Sequence, residues 1–104
     1  MPAMFGLSEK TIQKIRDVFA KFPDVEQALL YGSRAKGNYK PGSDIDLTLK
    51  GSKLTVNTLR AIDHELNALE LAYKIDLSVY HLIDDPDVIG HIDRVGKQFY
   101  KRVF

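Results

Sequence analysis

Between Ala28 and Lys50 the chain reads ALLYGSRAKGNYKPGSDIDLTLK, and this stretch limits the possible folds more than any other. An apolar run, Ala28 to Tyr31, stops at Gly32-Ser33. Cations follow at Arg34, Lys36 and Lys40, and Gly37, Asn38, Pro41 and Gly42 make the connection turn-rich. Ser43 then leads into Asp44-Ile45-Asp46-Leu47-Thr48-Leu49. The pattern predicts a strand, a tight turn and a second strand. Side chains alternate across an extended strand, so Ile45, Leu47 and Leu49 share one face while Asp44, Asp46 and Thr48 share the other. The two carboxylates then stand about 7 Å apart along one face of a sheet. Like charges so placed oppose folding. A bound cation is the usual compensation, and a hard, carboxylate-only pair suits Mg²⁺ or Mn²⁺.

The rest of the chain supplies helices and one more strand. From Glu9 to Phe22, Ile12, Ile15, Val18, Phe19 and Phe22 follow helical spacing. Ser8 is a candidate cap there and Pro23 a stop. Glu26–Tyr31 is predicted as the first strand, Ser33–Lys36 as the start of a short helix, and Ser43–Lys50 as the second strand. Val56 to Tyr73 carries Leu59, Ile62, Leu66, Leu69 and Tyr73 at three- and four-residue steps, the stripe of a long amphipathic helix covering a sheet. Lys74 to Tyr80 alternates again, with Ile75, Leu77 and Val79 opposite Asp76, Ser78 and Tyr80. Asp84-Asp85-Pro86 opens a last helix, whose stripe runs Val88, Ile92, Val95, Phe99, Val103. Gly90 and Gly96 weaken it by about 1 kcal/mol each relative to alanine. Gln98 to Phe104 forms an aromatic and basic tail.

The expected order is therefore α, β, short α, β, α, β, α in a single domain over residues 1–104. This is an α/β (α+β) fold, a small mixed sheet with helices packed on its apolar face and an open face opposite. Asp44, Asp46 and Asp76 all fall on the open face. Paired acids in one strand are ordinarily just an exposed face; it is Gly32-Ser33 upstream and Asp76 downstream that turn them into a candidate site.

Gly32-Ser33, the ten-residue spacer Arg34 to Ser43, and Asp44-Ile45-Asp46 resemble the signature of the DNA polymerase beta-like nucleotidyltransferase superfamily. Within it the chain looks most like the minimal nucleotidyltransferases, small proteins often paired with an all-helical HEPN protein. The resemblance runs from about Leu7 to Tyr80. It implies that Asp44 and Asp46 bridge two Mg²⁺ ions, with Mn²⁺ an alternative, and that Asp76 ligates the ion nearer the nucleophile. It implies nucleotide binding by Gly32 and Ser33, and Arg34 and Lys36 are expected to add phosphate contacts, Arg34 as a fork and Lys36 as a point charge. The implied reaction moves AMP from ATP to a hydroxyl, a tyrosine of the HEPN toxin in known members, with the nucleotidyltransferase acting as antitoxin.

Larger superfamily members add a second domain to hold the base or the acceptor. Only one helix and a tail are expected after Tyr80, which implies a partner subunit or self-association. An alternative reading is a non-catalytic nucleotide-binding module that neutralises a helical partner by complex formation. Addition to RNA or to a small molecule is a third class. Fifteen Lys and Arg against fourteen Asp and Glu leave a net charge of +1, so bulk charge does not indicate nucleic-acid binding. With no cysteine, disulfides, thiolate metal sites and a cysteine nucleophile are excluded. No apolar run reaches the roughly 20 residues of a membrane span, and a cytoplasmic location is expected. His64, His81 and His91 lack the spacing of a metal-binding pair and are expected at surface or packing positions.

Overall fold

The Ser8 hydroxyl accepts the Thr11 amide at 3.1 Å and starts α1 (Glu9–Ala20), whose Ile12, Ile15, Val18 and Phe19 are buried as one face. This is seen in a computed structural model that describes residues 4–103. Met1–Ala3, which begin the expected lead-in, and Phe104, which ends the expected tail, lie outside the described residues. The strands are β1 (Gln27–Tyr31), β2 (Ile45–Lys50), β3 (Ile75–Val79) and β4 (Lys97–Lys101), arranged β3-β2-β1-β4. β1 runs antiparallel to β2 and β4, while β2 and β3 are parallel, so the sheet is mixed. The parallel pair requires a crossover, which α3 (Val56–Asn67) supplies, its start capped by Thr55. The single turn α2 (Ser33–Lys36) closes with Gly37 in the left-handed conformation.

One face of the sheet carries the core. Ala28 and Leu30 of β1, Ile45, Leu47 and Leu49 of β2, Val79 of β3 and Phe99 of β4 are buried together with the inner faces of α1 and α3. Each aliphatic side chain taken fully out of water there contributes about 1.5–3 kcal/mol before entropy is counted. That gain fixes the register, because a one-residue slip would move every apolar residue of β2 to the acidic face. No helix among the described residues is long and apolar enough to cross a membrane.

Two elements differ from expectation. α3 ends at Asn67 rather than Tyr73. Glu70 takes a left-handed φ of 52°, which helical backbone does not allow, so Leu69 and Tyr73 pack against the core from a loop. The final helix, α4 (Pro86–Val95), stops eight residues before Val103. Gly96 turns the backbone to an extended conformation, and Lys97–Lys101 becomes the fourth strand. Pairing there gives β1 a second ladder, and the ring of Phe99 enters the main core instead of extending the stripe of α4.

α4 itself lies against β1 from the other side. Its Ile92 is buried but stands apart from the main core cluster. On this same side Thr48 is completely buried and accepts a 2.9 Å hydrogen bond from the Ser78 hydroxyl. α1 and α3 thus cover one face, and the exposed part of the other is its acidic end.

Candidate active site

Three strands bring the site together by register alone. Tyr31 of β1 is paired with Asp46 of β2, and Asp46 with Asp76 of β3. The row Tyr31–Asp46–Asp76 therefore crosses the sheet on the face opposite Leu30 and Leu47. Asp44 sits one residue before β2, exposed, where the Ile45 amide already bonds to the Lys74 carbonyl at 2.9 Å. Among the described residues none of the three acids has a Lys or Arg ion-pair partner.

The electrostatic consequence falls on Asp46. Burial pushes its carboxyl above the usual range, and the negative charges of Asp76 and Asp44 push it further; His91 works in the opposite direction. The Tyr31 phenol is also raised, mainly by burial, then by Asp46 and Asp76, against a hydrogen bond with Ser78. Negative charge has accumulated on a partly desolvated surface without a protein cation to balance it. That donor set fits a hard divalent cation held by Asp44, Asp46 and Asp76. Among the described residues no three acidic or histidine side chains are closed into a ready-made cage.

Gly32 is fixed by two constraints. Its φ of 74° and ψ of −154° belong to a region open essentially to glycine alone. A Cβ built on it would run into the Asp46 carboxylate. The missing side chain leaves room for Asp46, a metal-ligand candidate. Ser33 follows as the first residue of α2, half-buried, with its carbonyl taken by the Gly37 and Asn38 amides.

Arg34 departs from the expected phosphate contact. It is only 2% exposed, and its guanidinium is committed to backbone carbonyls. Nε and Nη2 donate to Ser43 at 3.1 and 2.8 Å, Nη2 also to Pro41 at 3.3 Å, and Nη1 to Phe5 at 2.8 Å. The rings of Tyr39 and Tyr73 lie 5.2 and 4.9 Å from its central carbon. A planar five-donor fork suits such a bracket, which joins the N-terminal segment, the spacer loop and the approach to β3. Lys36, by contrast, is exposed and makes no side-chain hydrogen bond or ion pair among the described residues.

Sequence reasoning gave His91 only a surface or packing position. The structure places it on the inner side of α4, where its Nε2 accepts the Gly32 amide at 3.2 Å and its ring meets Tyr31 edge-on at 6.1 Å. Fifty-nine residues separate His91 from Gly32, so no local spacing announces the contact.

The family model described as "Polymerase beta, Nucleotidyltransferase" matches residues 13–103. No curated protein sequence matches the chain. Among solved structures, one described as a toxin-antitoxin with AMP-PNP superposes with a TM-score of 0.70 at 21% identity, covering 88% of this chain and 73% of that one. A tri-AMPylated Shewanella oneidensis HEPN toxin in complex with MNT antitoxin gives 0.66 at 18% identity over 90% and 72%. A putative nucleotidyltransferase from Sulfolobus solfataricus gives 0.54 at 23% identity over 89% and 79%. At these identities the likeness is one of fold.

Proposed function

The chain belongs to the polymerase beta nucleotidyltransferase family, and from that premise we propose that it is a Mg²⁺-dependent nucleotidyltransferase. It transfers AMP from ATP to a hydroxyl of a helical HEPN-type partner and serves as the antitoxin of that pair. The observation that carries the chemistry is the in-register placement of Asp46 beside Asp76, with Asp44 at the mouth of β2 and Gly32 against Asp46. The partner is supported by the solved structures of similar fold, one described with AMP-PNP and one with an AMPylated HEPN toxin.

In the transfer, the acceptor oxygen forms a bond to the α-phosphorus while the bond from that phosphorus to the bridging oxygen of pyrophosphate breaks. The hydroxyl proton leaves toward a carboxylate of the site, Asp76 being the one carried by the edge strand β3. Divalent cations in such sites neutralise the phosphates and acidify the attacking hydroxyl. Asp44, Asp46 and Asp76 would hold them; Gly32 and Ser33 shape the turn that receives the phosphates. Lys36 is a cation of this turn with no partner among the described residues.

The test is incubation with α-phosphate-labelled ATP and Mg²⁺, with and without a HEPN-type partner. Label should pass to the partner and vanish in an Asp44→Ala, Asp46→Ala double variant. A tight complex with no label transfer, unaffected by the double substitution, would replace this proposal with the binding-module reading.

A further inference from the structure

The Gly32 amide is the point where two demands meet. Its glycine α-carbon lies against the Asp46 carboxylate, and its N–H is already taken by His91 Nε2 at 3.2 Å. Glycine enters this conformation without steric cost and leaves it as easily, so a contact from outside the turn is what fixes the orientation of the peptide. β1 ends at Tyr31 and α2 begins at Ser33, so neither ladder reaches the Gly32 amide. Among the described residues the one partner of that N–H is the imidazole of His91 on α4.

We propose that His91 is a positioning residue of the nucleotidyl-transfer site: it pins the Gly32 peptide, and through it the Asp46 carboxylate and the turn that receives the phosphates. The inference rests on the nucleotidyltransferase reading and extends it to α4. His91 also buttresses Tyr31 edge-on, and Tyr31 is the register partner of Asp46. Helix, turn and β1 are thereby connected beside the acidic row. α4 has a second polar tie that does not involve Gly32: the Tyr80 hydroxyl donates to Asp93 at 2.7 Å. The two ties make the effect of His91 separable from the general docking of the helix.

The experiment is calorimetric titration of α,β-methylene ATP, with Mg²⁺ present, into wild type, His91→Phe, His91→Gln and Tyr80→Phe, each checked for an unchanged far-UV spectrum and melting temperature. His91→Phe keeps a ring against Tyr31 but has no acceptor. Losing one positioned hydrogen bond should weaken its binding about tenfold. His91→Gln offers an oxygen near the place of Nε2 and should restore binding to within about threefold of wild type, while Tyr80→Phe should stay close to wild type. Three results overturn the inference: unchanged binding by His91→Phe, an equal loss in Tyr80→Phe, and tighter binding by His91→Phe, which would make the imidazole a competitor for the amide. Failure of the wild type to bind the nucleotide at all would sink the nucleotidyltransferase reading beneath it.

Discussion

Arg34 and the row Asp46–Asp76 lie within one short stretch of sheet and loop, yet the protein treats their charges in opposite ways. The cation is buried and satisfied without any anion, by carbonyls of Phe5, Pro41 and Ser43 and the faces of Tyr39 and Tyr73. The anions are left side by side in register, Asp46 half-buried and Asp76 exposed, with no Lys or Arg among the described residues paired to them. Pairing Arg34 with Asp46 would have relieved both, and the fold does not do it. A surface that keeps its repulsion while a guanidinium is spent nearby on loop carbonyls fits the cation-binding role proposed for these acids. The bracket then has a clear purpose: it holds the spacer loop, and with Ser43 the approach to Asp44, without neutralising the acids.

The sharpest way to break this contrast is to remove the bracket. Arg34→Met keeps an apolar stem between the two tyrosines but strands the Ser43 and Phe5 carbonyls in a buried setting. Charge-assisted hydrogen bonds contribute about 1.5–3 kcal/mol each, with strong non-additivity within a network. A loss of about 3 kcal/mol is expected in urea unfolding. Arg34→Lys should recover little of it, because a single ammonium cannot span carbonyls that the planar fork reaches together. Full stability in either variant would mean that the loop is held by something else and that the contrast is accidental.

The acidic side should respond with the opposite sign. Asp46→Asn removes one of the crowded charges, so the metal-free protein should gain stability, on the order of 0.5 kcal/mol after allowance for solvent screening of a half-exposed group. The pH dependence follows from the raised carboxyl. A group whose folded pKa lies above its unfolded value stabilises fully below the unfolded value, and that contribution is lost as pH rises through the folded one. Wild type without metal should therefore lose stability across the acid side of neutrality, between the ordinary carboxylate range and the raised value. Asp46→Asn should flatten that slope. Melting curves from pH 3 to pH 7, with and without Mg²⁺, check it; a destabilised Asp46→Asn variant would show that the carboxylate is held favourably after all.

The legibility of these two regions in the sequence differed for physical reasons. The acids were readable because strand alternation is a local rule: Asp46 and Asp76 follow from Ile45-Asp46-Leu47 and Ile75-Asp76-Leu77, and the register joins them. Arg34 was not readable, since its burial depends on Phe5, Ser43 and Tyr73, which only the tertiary structure gathers. His91 lay hidden for the same reason. β4 was missed because Val95, Phe99 and Val103 sit at four-residue steps that suit a helix, while Gln98, Phe99 and Tyr100 suit a strand equally well. Gly96 was the available signal, and it marked a true break where it was read as a weak point. In α3 the stripe ran past the helix end, since Leu69 and Tyr73 still face the core from the loop that Glu70 begins.

Lys36 provides the smallest and most discriminating comparison, for it is the cation two residues beyond Arg34 that the fold leaves unused. It is exposed at the end of α2, and no described residue takes its ammonium by hydrogen bond or ion pair. Lys36→Ala should thus leave unfolding free energy within about 0.5 kcal/mol of wild type, as surface changes away from special contacts do. If Lys36 faces the triphosphate, the same substitution weakens nucleotide binding about threefold, the size of one exposed charge pair. The effect should shrink as salt is raised from about 0.05 to 0.5 M, because exposed charges are screened over such a range. Titrations of Mg²⁺-nucleotide at the two salt concentrations separate the cases. A salt-independent loss would point to altered loop packing, and no loss would leave the phosphates to the turn itself, with neither of its first two cations assisting.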